Sequence, residues 1–188
     1  MAVRRHLFLS GTHPLLLRLF FVSSCMIVFI NGRSSAVAAS PPNIVAFNYL
    51  SIQGANSTSG YNTVLCGAPP HPQPNSFAQT YCFDTPLLSR KHLASSPIGR
   101  VQGTFVFVTS SGPQILFVSE SFTINTTTYK GTFTGVGLET IGQVSSKPIT
   151  GGTGDFARVN GVATTTPLNT GNDSSDNFYA WFKYKFTF

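Results

Sequence analysis

Helical periodicity is hard to find after residue 40, and where a pattern shows it is an alternation of apolar and polar positions with a period of two, the signature of a half-buried strand rather than of a helix. The last stretch is the clearest case. Counting from Phe178, the even positions are Phe178, Ala180, Phe182, Tyr184, Phe186 and Phe188, whereas Tyr179, Trp181, Lys183, Lys185 and Thr187 fall on the odd ones. One face is expected to meet a core and the other to look outward. A strand this apolar is expected to be paired rather than left as an edge. Thr, Val, Phe, Ser and Gly dominate the rest, and Ala-Leu-Glu-Lys stretches are missing, which again favours strands. Strands are predicted over 43–52, 61–66, 101–109, 114–124, 129–138, 142–150, 156–166 and 178–188. Turns are read at Ser110-Ser111-Gly112-Pro113, around Asn125 and at Gly151-Gly152-Thr153-Gly154. Short antiparallel strands with Gly/Ser/Pro turns imply a sandwich or a closed barrel. Glycines at 103, 131, 135, 137, 142 and 161 interrupt the long strands, as a strongly coiled barrel wall needs.

The first 39 residues follow another rule. Arg4, Arg5 and Arg18 precede the apolar run Leu19–Ile30, and a small-residue stretch containing Ala36-Val37-Ala38 follows. This is the order of a signal peptide cut after Ala38 or Ala39. The alternative is a retained anchor, but the unbroken run has 12 residues and a spanning helix needs about 20. The expected organisation is therefore a cleaved leader, 1–39, and one domain, 40–188, with a Pro-rich loop at about 67–80. No stable membrane anchor is expected.

The leader changes the charge balance. The whole chain carries 12 Lys+Arg against 6 Asp+Glu, a formal net charge of +6. Arg4, Arg5, Arg18 and Arg33 leave with the leader, so eight basic residues face six acidic ones, a net +2. Nucleic acid, which calls for dense Lys/Arg on one face, is not an expected partner. Only 10% of residues are charged and 41% are hydrophobic, which excludes a disordered chain.

Cys25 departs with the leader, leaving Cys66 and Cys82 on either side of the Pro-rich loop. In an oxidising compartment the pair is expected to bridge; the alternative is two separate buried thiols. Closing a loop of about 15 residues contributes ~3 kcal/mol on the chain-entropy model. Asn56, Asn125 and Asn172 each open an Asn-x-Ser/Thr triplet in a turn-like stretch and are read as glycosylation acceptors.

Few residues carry candidate chemistry. Asp84, Asp155, Asp173 and Asp176 fall in segments read as loops or turns. Glu139 falls on or near a strand. Glu120 alternates with Leu116, Val118 and Phe122, an apolar face on which a lone carboxylate is costly to bury. It either lines a wet cavity or occupies a solvated or interface position. His71 and His92 lack partners at ligand spacing, so no metal is expected. Gly-x-Ser-x-Gly is missing, so no nucleophile elbow is expected. Among the aromatics, Tyr49, Phe105, Phe107, Phe117, Tyr129, Phe133 and Tyr184 lie on predicted strands, where they serve as core or as platforms for planar phenols. Gly151-Gly152-Thr153-Gly154 is read as a structural hairpin, because no predicted helix follows it to cradle a phosphate.

Three blocks carry a resemblance. The first is Ile98-Gly99-Arg100-Val101-Gln102-Gly103-Thr104-Phe105. The second is Tyr129-Lys130-Gly131-Thr132, and the third is Lys147-Pro148-Ile149-Thr150-Gly151-Gly152-Thr153-Gly154-Asp155-Phe156, closed by Gly161-Val162-Ala163. In that order they resemble the plant dirigent family, with its GxxQG strand, YxGS strand and PVVGGTGxF hairpin. The resemblance runs from about Val45 onward. It implies an all-β fold, an eight-stranded antiparallel β-barrel of the dirigent and allene-oxide-cyclase-like, calycin type. It also implies secretion to the extracellular space, the apoplast and cell wall, and a homo-oligomer, dimer or trimer. The implied partners are phenolic radicals, such as those of coniferyl alcohol, made by an external laccase or peroxidase. The barrel would orient them, with no cofactor, so that coupling gives one lignan stereoisomer. Other members cyclise or dehydrate a quinone methide by general acid catalysis, and a non-catalytic wall or defence barrel is a third reading.

The chain departs from the family pattern in places. Ser51 stands where a run like FYxHD ends in Asp, and Ser145-Ser146 stand where Arg-Glu is usual. The family's cysteine pairing differs from Cys66 and Cys82. The pocket candidates are therefore Tyr49, Ser51, Glu120 and Tyr129.

Overall fold

The computed structural model describes residues 43–52, 62–70, 73, 75–173 and 176–188. The leader, Asn56 and His71 lie outside the described residues. Nine strands follow in chain order: β1 Ile44–Ser51, β2 Asn62–Gly67, β3 Thr80–Leu88, β4 Pro97–Phe107, β5 Ile115–Asn125, β6 Lys130–Thr140, β7 Ser145–Gly152, β8 Gly161–Asn172 and β9 Phe178–Thr187. Each pairs antiparallel with the next from β2 to β9, and β9 then pairs with β1 from Ile44↔Phe186 to Ser51↔Tyr179. The ring closes where Phe47 and Asn48 of β1 meet Leu88 and Leu87 of β3. Eight strands thus make a closed antiparallel barrel, while β2 lies along the other half of the β3 edge, from Asn62↔Asp84 to Gly67↔Thr80. Closure removes free edges, which is how the apolar β9 comes to be paired on both sides.

Strand β3 corrects the loop reading of Asp84 and Pro86. Proline has no N–H to give a ladder, so it marks strand edges and breaks. Here it stands in the gap where β2 pairing has ended, at Asp84, and β1 pairing begins, at Leu87, while keeping register with Arg100 on β4. Asp84 forms an exposed ion pair with Arg100 at 2.6 Å.

The loop between β7 and β8 also differs from the expected tight hairpin. Gly151 and Gly152 end β7, a single 3-10 turn spans Gly154–Phe156, and β8 starts only at Gly161. Gly154 has φ +60°, and a Cβ on it would run into the carbonyl oxygen of Lys130. That close approach seats the loop on the start of β6. Thr153 N donates to Thr132 O at 2.8 Å, and Lys130 N donates to Asp155 Oδ2 at 2.7 Å. Phe156 is driven fully inside.

One end of the barrel is packed solid. Phe122, Phe133, Phe156 and Phe186 are fully buried, with ring centroids 4.8–5.1 Å apart along the chain of contacts. The other end is hollow. Cys66 and Cys82 are bridged across β2 and β3, with Cα atoms 5.8 Å apart. No helix among the described residues is long and apolar enough to cross a membrane.

Candidate functional site

The hollow end holds a cavity of about 430 Å3, within the range of ~300–1,000 Å3 usual for small-molecule sites. Period two builds its wall. Phe178, Ala180, Phe182 and Tyr184 face it from β9, as the even positions should. Tyr81 and Phe83 of β3 and Phe105 and Phe107 of β4 add a second aromatic wall, with Tyr81 and Phe105 stacked at 5.0 Å. Asn48 of β1 also lines the cavity, its Nδ2 donating to Thr85 Oγ1 at 2.6 Å.

Charge is concentrated where the cavity meets the aromatic plug. Glu120 on β5 follows Leu116 and Val118 on the inward face, so the costly reading of its position is the correct one. Tyr184 donates its hydroxyl proton to Glu120 Oε1 at 2.6 Å, while its ring stands edge-on to Phe122. Lys147 on β7 lies 2.6 Å from Glu120 Oε2 through its Nζ, also pairs with Glu139 Oε1, and reaches Thr165 Oγ1 of β8 at 3.3 Å. Its side chain is 0% exposed, against 2% for Glu120 and 14% for Glu139. Glu120, Glu139, Thr165 and Tyr184 line the cavity, and Lys147 lies behind them. Room for the lysine comes from Gly137, where a Cβ would come within 2.9 Å of Lys147 Cγ.

These surroundings shift the titrations. Burial pushes Glu120 above its ordinary 4.5, against the pull of Lys147. Burial alone would lower Lys147, but the two carboxylates more than offset it and hold the ammonium above 10.5. Burial, with the charge of Glu120 and Glu139, raises Tyr184 well above 10.0. An unpartnered charge at such depth would cost several kcal/mol, on the order of 3–5; three mutually bonded groups avoid that.

Of the four pocket candidates Tyr49, Ser51, Glu120 and Tyr129, only Glu120 reaches the cavity. Tyr49 and Ser51 occupy odd positions of β1 and face away from the lumen. Tyr49 instead packs with Tyr179 at 5.4 Å and Trp181 at 5.2 Å in an outer cluster, and Ser51 is fully buried outside the cavity. Tyr129 sits at the closed end against Phe156, 6.4 Å between ring centroids. Phe117 faces outward, 43% exposed. Asn125 and Asn172 are exposed at the ends of β5 and β8, and Asn172 Nδ2 donates to Asp176 Oδ1 at 2.8 Å. Lys147 was missed. At the Ser145-Ser146 positions, Ser145 Oγ accepts a hydrogen bond from Thr140 N at 3.2 Å and Ser146 is exposed. The cation therefore enters one residue later than the family's Arg-Glu pair, on the same inward face as Ile149.

Comparison with known proteins agrees with this architecture. The family model for dirigent-like protein matches residues 44–187. A dirigent protein of Sinopodophyllum hexandrum is 29% identical over 164 residues, covering 77% of this chain and 83% of that protein. Dirigent protein 14 of Arabidopsis thaliana is 33% identical over 92 residues, covering 48% of this chain and 50% of its own length. Among solved structures, the pterocarpan synthase dirigent protein GePTS1 matches with a TM-score of 0.65 at 19% identity, over 77% of this chain and 86% of that one. The corresponding protein PsPTS1 gives 0.62 at 17% identity, over 77% and 92%. At those identities the likeness to the two structures is one of fold.

Proposed function

Because this chain belongs to the dirigent family, we propose that it is secreted to the cell wall, holds a phenolic intermediate in its barrel, and sets the stereochemistry of the bond that intermediate forms. An external laccase or peroxidase makes the phenoxy radical; the barrel fixes which faces meet. The gain is one of orientation, worth as much as several kcal/mol when the reacting atoms are held near contact. The observation that carries this reading is the aromatic-walled cavity of about 430 Å3. Flat rings stack on such walls, and the few polar groups at its floor would fix the ring's heading.

A second reading draws on the buried cluster. Radical coupling needs no proton donor or acceptor, yet the lumen holds Glu120, Glu139, Lys147 and Tyr184 in contact. That equipment suits closure of a ring on a quinone methide, a closed-shell step that moves protons. The two structural neighbours are themselves described as pterocarpan synthases.

The test is a coupling assay. Coniferyl alcohol and a laccase are supplied with and without the mature protein, and the pinoresinol enantiomers are separated by chiral chromatography. An excess of one enantiomer is expected. A racemic product, from protein shown to be folded, would remove radical guidance of this substrate and leave the second reading to be tested without an oxidase.

A further inference from the structure

The cluster has an odd stoichiometry. One ammonium serves two carboxylates, and the three groups differ in depth. Lys147 is 0% exposed, Glu120 2% and Glu139 14%. Glu120 is held on both oxygens, by Tyr184 on one and Lys147 on the other, at 2.6 Å each. Glu139 reaches the cavity with the largest exposed fraction of the three.

We propose, resting on the quinone-methide reading above, that Glu139 is the carboxylate that meets the ligand, and that Glu120 is there to keep Lys147 paired when Glu139 takes up a proton. A single Lys–Glu pair could not serve as a base at this depth. On protonation it would leave a buried ammonium without a counter-charge, the arrangement that burial penalises most. A second carboxylate removes the difficulty, because Lys147 remains bonded to Glu120 and Thr165 in either state of Glu139. Lys147 is thus a positioning residue.

The step balances without redox chemistry. A ligand hydroxyl loses its proton to Glu139, and its oxygen forms a C–O bond to the methide carbon. The displaced electron pair runs through the ring to the quinone oxygen, which takes a proton from water in the cavity. Glu139 then returns its proton to water. The ligand is isomerised, and nothing is oxidised or reduced.

The charged and titratable groups in this cluster are Glu120 from β5, Glu139 from β6, Lys147 from β7 and Tyr184 from β9. The test uses a synthetic para-quinone methide with a tethered hydroxyl and no oxidase. Its closure is followed by absorbance across pH, and binding of the reduced phenol is measured by calorimetry. In wild type the rate should rise with pH along one limb, reporting an ionising base. Glu139→Gln should bind the phenol within about threefold, lose roughly 10²–10⁴ in rate, and lose that limb. Glu139→Asp, which keeps a carboxylate, should retain the limb at reduced rate, and it stands in should the amide variant fail to fold. Glu120→Gln should keep the limb, because Glu139 still supplies the carboxylate that meets the ligand. The proposal is overturned where Glu139→Gln keeps the limb, or where Glu120→Gln abolishes it. If wild type binds the phenol but does not accelerate closure, the quinone-methide reading itself falls. If it binds nothing, the phenolic reading falls with it.

Discussion

Lys147 shows how a single residue can be invisible in sequence and decisive in the fold. It sits in Ser145-Ser146-Lys147-Pro148, a polar stretch of the strand predicted over 142–150. Alternation across Lys147 and Ile149 was the one available signal for its inward aim, and a charge on such a face is ordinarily outside. Only the carboxylates of β5 and β6, brought from 27 and 8 residues away, make its burial affordable in free energy. Glu120 could be read from its own strand, because Leu116, Val118 and Phe122 flank it at period two. Lys147→Met should therefore destabilise the protein by about 3–5 kcal/mol at neutral pH, because it leaves two carboxylates facing each other out of water. Adding Glu120→Gln should recover a large part of that loss, since one of the two stranded charges is removed. Denaturant unfolding of the single and double variants measures both. The cluster also sets a pH trend. The folded value of Glu120 is raised above 4.5, so the native state holds its proton more tightly than the unfolded chain. Its contribution to stability accordingly falls as pH rises from about 4.5 through the raised value. Tyr184, raised well above 10.0, and Lys147, raised above 10.5, each favour folding below those values and lose that contribution as pH climbs through the folded ones. Melting temperature should decline on the alkaline side, and Glu120→Gln should flatten the earlier fall that begins near 4.5. A wild-type melting temperature that climbs from neutral pH to above 10 would contradict this.

Among the elements, strands with clean alternation were legible and the two irregular segments were not. β9 and β5 repeat every second residue, so their faces follow from counting. Strand β3 reads as loop in the sequence because Pro86 and the cysteine loop dominate its composition, yet its neighbours spare the proline by exchanging places beside it. The β7–β8 loop reads as a tight turn in the sequence because it is rich in glycine. Its glycines serve instead to let the loop lie against β6, and this cannot be seen without the partner strand. Gly154→Ala tests the point. The residue must hold φ +60°, and its Cβ would strike the Lys130 carbonyl. A side chain in that region costs about 1–3 kcal/mol before the clash is counted. Gly142 has a similar φ of +76° but nothing within 4 Å of its Cβ site. Gly142→Ala should therefore cost only the backbone part, and Gly154→Ala clearly more. Equal losses in thermal unfolding would show that the loop does not depend on close contact with β6.

At the scale of the molecule, the order of strands matters more than any motif. A meander that brings β1 back between β9 and β3 gives a closed wall, so every inward side chain must be either packing or cavity lining. The chain divides these by height, with phenylalanines filling one end and the ionic cluster capping them. Closed barrels of eight strands are just wide enough for such a choice. The barrel class could be argued from strand count, turns and glycines, but the pocket candidates Tyr49, Ser51 and Tyr129 could not be corrected until closure fixed which face of β1 is inside and which end of the barrel is plugged. The bridge lies outside this division. Cys82 falls between the inward residues Tyr81 and Phe83 on β3, so the bond to Cys66 runs over the outer surface and pins β2 to the wall. Its work is then done on the unfolded chain, where it closes a loop and lowers conformational entropy by an amount worth about 3 kcal/mol. Replacing both cysteines, as Cys66→Ser with Cys82→Ser, should lower unfolding stability by roughly that much. Affinity for a phenolic ligand should stay the same, because the cavity wall is left complete. A loss of ligand binding in a double variant that remains folded would mean that β2 helps shape the lumen through β3, and the separation of outer brace from inner site would have to be given up.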